Sequence, residues 1–140
     1  MMISTRGRYA LRFLLNLAAQ SEEVFVPMKV VAKQENISPK YLEQIIPVLS
    51  KNGLVDVSYG KGGGYKLAKK PNEYTVGEIL RLTEGDLAPV ACLCCEADMC
   101  ERADSCKTLP MWQKFNDITN QYFDGVTLAD LVNGVETIYK

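Results

Sequence analysis

The run Asn36-Ile-Ser-Pro-Lys-Tyr-Leu-Glu-Gln-Ile-Ile-Pro-Val-Leu-Ser-Lys-Asn-Gly-Leu-Val-Asp-Val-Ser-Tyr-Gly-Lys-Gly-Gly-Gly-Tyr-Lys-Leu-Ala68 changes its period part-way through. Its first half reads as a helix over 39–52. Asn36-Ile37 makes a tight turn, Ser38 stands at the N-cap, and Pro39 sits at N1, where a missing N–H costs nothing. Gly53, after Asn52, is a left-handed stop. Pro47 lacks an N–H for the Glu43 carbonyl, which predicts a kink. After Gly53 the pattern is that of strands. Leu54-Val-Asp-Val57 and Tyr65-Lys-Leu-Ala68 flank Ser58-Tyr-Gly-Lys-Gly-Gly-Gly64, with four glycines in five positions, and such a pair makes a hairpin. Upstream, residues 7–20 carry Ala10, Leu14, Leu17 and Ala18 at helical spacing, with Ser4 or Thr5 as the cap, and Pro27 opens a short helix over 27–34. Helices about a tight turn followed by a hairpin give a mainly α fold with a small β wing, a winged helix-turn-helix.

Downstream, Thr75-Val-Gly-Glu78 reads as a capping box for a helix that runs to about Thr83. Residues 84–106 show no strong periodicity. Over 108–123 the apolar residues Leu109, Trp112, Phe115, Ile118, Tyr122 and Phe123 recur at spacings of three and four, and Thr127-Leu-Ala-Asp130 caps a last helix. The chain divides into a winged helix-turn-helix domain at 1–83, a cysteine-rich sensor loop at 84–107, and a dimerisation helix with a C-terminal helix at 108–140. The stripe at 108–123 is too wide for one small domain to bury, so a homodimer is expected.

The chain has 140 residues, of which 47% are hydrophobic, and a formal net charge of −1. Length and composition suit one small domain with an appendage. No apolar run is long enough for a membrane span, and the start lacks the order of a signal peptide. The charge is unevenly placed: residues 1–70 hold eleven Lys/Arg against five acids, a formal +6, and residues 71–140 hold five against twelve, a formal −7. The basic half is expected to meet a polyanion, double-stranded DNA. A helix in the major groove reads bases near its N-terminus, here Ser38, Pro39, Lys40, Tyr41, Glu43 and Gln44. Gln44 suits adenine and Glu43 suits cytosine N4, while Lys40 and Tyr41 reach phosphates. In the wing, Lys61 supplies charge, Gly62 and Gly63 allow close backbone approach, and Tyr59 can lie in the minor groove or stack on sugar. Arg8 and Lys29 of the basic half complete the DNA-binding set.

All five cysteines fall between Cys92 and Cys106 with the spacing C-x-C-C-x4-C-x5-C. The residues between them are mostly polar, so the thiols lie on a loop and read as soft-metal ligands: Cys92, Cys94, Cys95, Cys100 and Cys106. An odd count without an export signal points to reduced thiols in the cytoplasm. Three states are open: an iron–sulfur cluster, zinc on the same thiolates, or a metal-free thiol switch in which Cys94 and Cys95 oxidise with Cys100 or Cys106. The chain has no histidine for general-base work and no carboxylate pair in an apparent pocket, so an enzyme is not expected.

Gly7-Arg-Tyr-Ala10, Ile37-Ser38, Tyr41-Leu-Glu-Gln44, Lys51-Asn-Gly-Leu54, Gly62-Gly-Gly-Tyr65 and Thr75-Val-Gly-Glu-Ile79 together resemble the iron–sulfur cluster regulator family of bacterial winged-helix transcription factors. The resemblance runs from Ile3 to about Gly134. It implies a cytoplasmic homodimer, a repressor-type transcription regulator on an inverted-repeat operator, and a cluster whose state tunes operator affinity, 2Fe–2S ahead of 4Fe–4S. The family loop supplies three cysteines. The last two match Cys100 and Cys106, and the first matches Cys94, or Cys92 if the loop has two extra residues. The family's fourth ligands are missing here: Leu109 stands where one branch has a histidine, and Arg8 where another has an acid from the partner subunit. The extra cysteines offer a replacement, with Cys92, Cys94 or Cys95, Cys100 and Cys106 supplying four thiolates.

Overall fold

A computed structural model describes residues 2–94 and 98–134, so Cys95 lies outside the described residues. In chain order come α1 (Thr5–Ala18), α2 (Met28–Glu35), α3 (Pro39–Lys51), β1 (Val55–Ser58), β2 (Gly64–Leu67), α4 (Val76–Glu84), α5 (Leu109–Gly125) and α6 (Leu128–Asn133), with short 3-10 turns at Pro71–Glu73 and Ala91–Leu93. Helix α1 starts where the Ser4 hydroxyl accepts the Gly7 N–H, one of the four donors a helix start leaves unpaired. Its buried face is Ala10, Phe13, Leu14 and Leu17. Phe13 takes the place expected for Ala18, which is only half-buried. Around this face pack Val31, Leu42, Ile45, Leu49, Leu54, Tyr74, Ile79 and Leu128, all within 1% of full burial.

The turn between α2 and α3 places Asn36 in the left-handed region (φ 52°, ψ 47°), a conformation asparagine tolerates better than most residues. Buried Ile37 follows, and its N–H returns to the Ala32 carbonyl at 2.9 Å. Pro27 stands at the N-cap of α2, one position earlier than the sequence suggests. Pro39 does occupy the start of α3, but the Ser38 side chain makes no capping bond. Helix α3 runs through Pro47 to Lys51 as one element, and Gly53 follows with φ 74°.

The wing is an antiparallel pair in the register Val55↔Leu67 to Ser58↔Gly64. A third lane joins it: Val26 and Tyr65 exchange both backbone hydrogen bonds, at 2.8 and 2.9 Å. Gly64 permits this approach. Its φ is +155°, and a Cβ there would overlap the Val26 carbonyl, so only glycine fits without strain. Two four-residue strands alone are marginal in water, and Tyr74 ties their outer ends down. The Tyr74 ring is fully buried. Its hydroxyl donates to the Leu54 carbonyl at 2.6 Å and accepts the Lys69 N–H at 3.0 Å. Burial pushes its pKa above the ordinary tyrosine value.

At the start of α4 the expected capping box is half formed. Thr75 accepts the Glu78 N–H at 3.1 Å, while the Glu78 carboxylate faces Lys69 Nζ at 3.8 Å. The box at Thr127 and Asp130 is complete. The two segments pair: Val76 N–H reaches Val126 O at 2.8 Å and Leu128 N–H reaches Tyr74 O at 3.1 Å. Leu128 is fully buried in the same core as α1, so α6 packs with the winged part of the chain.

Tyr74→Phe leaves the Leu54 carbonyl and Lys69 N–H without their side-chain partner. It should lower unfolding stability by about 1–3 kcal/mol, read from urea denaturation. An unchanged midpoint would show that this hydroxyl does not hold the wing.

Candidate nucleic-acid interface and cysteine loop

Helix α3 buries Leu42, Ile45, Ile46 and Leu49. Their spacing leaves Lys40, Glu43, Gln44, Pro47 and Lys51 exposed at i, i+3, i+4, i+7 and i+11, one continuous stripe on the face opposite the core. Tyr41 flanks it, 45% exposed, and its ring meets the edge of Tyr9 from α1 at 5.4 Å between centroids. The Arg12 guanidinium lies 5.4 Å from the Tyr9 ring centre and also donates to the Glu35 carbonyl, tying α1 to the end of α2. Tyr9 and Arg12 therefore buttress the start of α3. Nothing in their local sequence marks that role, because the partners are 32 and 23 positions away.

Between the exposed side of α3 and the wing lies a groove of about 510 Å³. Glu43, Pro47 and Lys51 line one wall, and Val57, Tyr59 and Tyr65 the other. Tyr59 projects with 90% exposure; Lys61 and Gly62 are exposed at the tip, and Gly63 tucks against the Ser58 carbonyl. Ser38, Pro39, Lys40, Glu43 and Gln44 thus share one exposed end of α3, with the wing residues across the groove. Arg8 and Lys29 are exposed on α1 and α2. The Arg8 guanidinium turns to Thr5 Oγ1, 3.2 Å away within its own helix.

Two contacts anchor the loop that follows α4. At the C-terminal end of α4, Glu84 Oε1 accepts from Ser4 N–H at 3.0 Å and from the Ser4 hydroxyl at 2.6 Å. On the neighbouring turn, Arg81 donates to both carboxylate oxygens of Asp124 (2.8 and 2.9 Å) and to Asn120 (2.7 Å) on α5. This bidentate pair raises the Arg81 pKa. Gly77 has no side chain to obstruct Asp124, whose carboxylate would meet a Cβ there.

On the loop, Cys92 and Cys100 are exposed, and Cys94 and Cys106 are half-buried. Cys106 lies just before α5. The Thr108 hydroxyl stands 3.4 Å from its sulfur. That hydroxyl first, then the backbone N–H groups of Thr108 and Leu109, hold the thiol below its ordinary pKa. This favours thiolate, the form that binds metals. The donor chemistry fits an iron–sulfur cluster. Among the described residues, however, no three His, Cys, Asp or Glu side chains are gathered around one metal position.

The winged fold, the exposed α3 stripe and the thiol loop occur in one chain, and a family profile for Rrf2, described as iron-dependent transcriptional regulator, matches residues 3–134. The chain belongs to the Rrf2 family. It is 35% identical over 138 residues to the HTH-type transcriptional regulator IscR of Pectobacterium atrosepticum (strain SCRI 1043), covering 99% of this chain and 83% of that one. Its structure is similar to that of CymR, the global cysteine regulator of B. subtilis (TM-score 0.81, 34% identity, 95% and 97% of the two chains). It is also similar to T. potens IscR (TM-score 0.76, 34% identity, 95% and 87%). The Rrf2 protein is a DNA-binding transcription regulator with a winged helix-turn-helix, and not an enzyme. Among its described residues no helix is long and apolar enough to cross a membrane.

Proposed function

We propose that this Rrf2 regulator binds an inverted-repeat operator in the cytoplasm as a homodimer, and that an iron–sulfur cluster on the Cys92–Cys106 loop tunes its affinity. The exposed α3 stripe carries the DNA part of this reading. Helix α3 enters the major groove, where Glu43 and Gln44 read base edges and Ser38, Pro39, Lys40 and Tyr41 meet the adjoining backbone. The wing lies along the duplex, with Lys61 on phosphate, Tyr59 on sugar and Gly62 and Gly63 close to the backbone. Arg8 and Lys29 add positive charge beside α3.

The dimer rests on α5. None of its residues is buried, yet Met111, Phe115, Ile118 and Tyr122 form a stripe at 44–54% exposure. Water is a poor partner for such a face, and a second copy of α5 buries it under two-fold symmetry. An inverted-repeat operator follows from that symmetry.

For the cluster, Cys100 and Cys106 are the ligands the family pattern supports most directly, with Cys92 and one of Cys94 and Cys95 completing four thiolates. A bound cluster supplies a centre whose charge and integrity respond to oxidation. The protein's part is to transmit the change. The loop leaves α4 beside the Glu84–Ser4 bond and enters α5 at Cys106, so a change in loop conformation acts on both the winged part and the dimer helix. Leu109, at the first position of α5, is half-buried and apolar, and Arg8 is cationic; neither replaces a thiolate.

Three measurements test this reading. Lys61→Ala should weaken binding to every duplex and lower the salt slope by about one, whereas Glu43→Ala should alter preference at one base pair by about 1–3 kcal/mol; an unaltered preference removes Glu43 as a base reader. Phe115→Asp with Ile118→Asp should give a monomer in analytical ultracentrifugation, and a parent that is already monomeric at micromolar concentration ends the dimer reading. Anaerobically purified protein should be brown and contain iron and sulfide. Cys100→Ala and Cys106→Ala should each lose them, as should only one of Cys94→Ala and Cys95→Ala. Colourless protein with bound zinc would replace the cluster with a zinc site, and metal-free protein that forms a loop disulfide would leave the thiol switch.

A further inference from the structure

Pro47 is the apolar member of the exposed α3 stripe. Proline carries the largest helix penalty of the twenty residues, and at this position it buries nothing in the core: its neighbours Ile45, Ile46 and Leu49 are buried while it is exposed. Folding alone therefore gives no reason for a proline here. Its surroundings on the surface are those of a nucleic-acid contact. It lies one turn beyond Glu43, between Lys40 and Lys51 along the same face, and shares with Glu43 and Lys51 the wall of the groove opposite Tyr59. A rigid hydrocarbon ring flanked by two ammonium groups suits one feature of the major groove, an apolar group set among phosphates. B-DNA presents one such group on its base edges, the C5 methyl of thymine.

We infer that Pro47 is a specificity-determining residue that packs against a thymine methyl in each operator half-site. This rests on the proposed placement of α3 in the major groove and adds a base contact that Glu43 and Gln44, both polar, cannot make. The contact is apolar and local. It needs no movement of α3, because the ring is already exposed and its backbone is held by the buried side of the helix.

The test uses the full-length protein, purified anaerobically, and a duplex of about 30 base pairs that it selects from a random-sequence pool. Each thymine of that duplex is replaced in turn by deoxyuridine, which removes the methyl and leaves every hydrogen-bonding group in place. The parent protein should bind about three- to fivefold more weakly when one particular thymine in a half-site is replaced, the effect of a single buried methyl-sized group. Pro47→Ser should bind the thymine and deoxyuridine duplexes equally. That variant regains a backbone N–H for the Glu43 carbonyl at an exposed site, so its thermal midpoint should not fall. If the parent is insensitive to every thymine replacement, or if Pro47→Ser keeps the full sensitivity, the inference is overturned while the wider placement of α3 stands. If the protein selects no sequence at all, that placement fails and Pro47 with it. The parent scan needs no variant, so the result does not depend on how well Pro47→Ser folds.

Discussion

Tyr74 is fully buried with its hydroxyl between two backbone groups of the hairpin ends, the Leu54 carbonyl and the Lys69 N–H. Hydrogen bonds in such a dry site are stronger than in water, and their absence would cost correspondingly more. The same residue presents its own carbonyl to the Leu128 N–H, while Val76, two positions on, donates to Val126. One short extended segment therefore closes the wing on one side and fastens the C-terminal helix on the other. The wing's strands are too short to be stable alone. What makes the wing a fixed arm is this node at its base, together with the Val26–Tyr65 pairing that Gly64 allows.

Helix α4 extends that rigidity toward the cysteine loop. Its second half is joined to α5 through Arg81 and Asp124, and its last residue to the start of α1 through Glu84 and Ser4. The second contact also places a carboxylate at a helix N-terminus, where the aligned peptide dipoles favour negative charge. The loop thus begins at a point bonded to the start of α1 and ends, at Cys106, just before α5, the helix with the unburied apolar face. Glu84 is held at the loop's beginning by two hydrogen bonds, and on the proposed function a rearrangement of the loop acts on the relative setting of α1 and α5.

The elements legible in the sequence were those governed by neighbours in the chain. The glycine cluster announced the hairpin, Asn36-Ile37 the turn before α3, Gly53 its end, and Thr127 with Asp130 the cap of α6. What could not be read came from partners far along the chain. Ser4 and Glu84 are 80 positions apart, and Tyr74 reaches Leu54 across 20. Glu78 is a case where a partner outside the helix won over the local cap: a capping glutamate by spacing, it faces Lys69 instead. Phe13 joins the buried face of α1, where its ring also meets Tyr65 of the wing at 6.0 Å between centroids, while Ala18 is only half-buried. The cysteines were legible as a cluster but not as a ligand set. Neighbouring thiols such as Cys94 and Cys95 differ only in the direction of a backbone that the sequence leaves open.

The division of charge between the two halves of the chain also takes a physical meaning from the fold. The basic half holds the α3 stripe and the wing; from the acidic half Glu84 bonds Ser4 of the basic half, while Asp124 pairs with Arg81 inside the acidic half itself. These two acids are engaged in contacts between helices. Lys40 and Lys51 stand on a helix pinned by four buried side chains, whereas Lys61 stands at the tip of a glycine-rich turn. A charge on a fixed helix can be placed against one phosphate at the cost of little order. A charge on a turn can follow the backbone of any duplex but gives up conformational freedom to do so. On the proposed placement of α3, the groups assigned to read bases sit on the rigid surface of the helix, and Lys61, assigned to phosphate, sits where the chain is built from glycine.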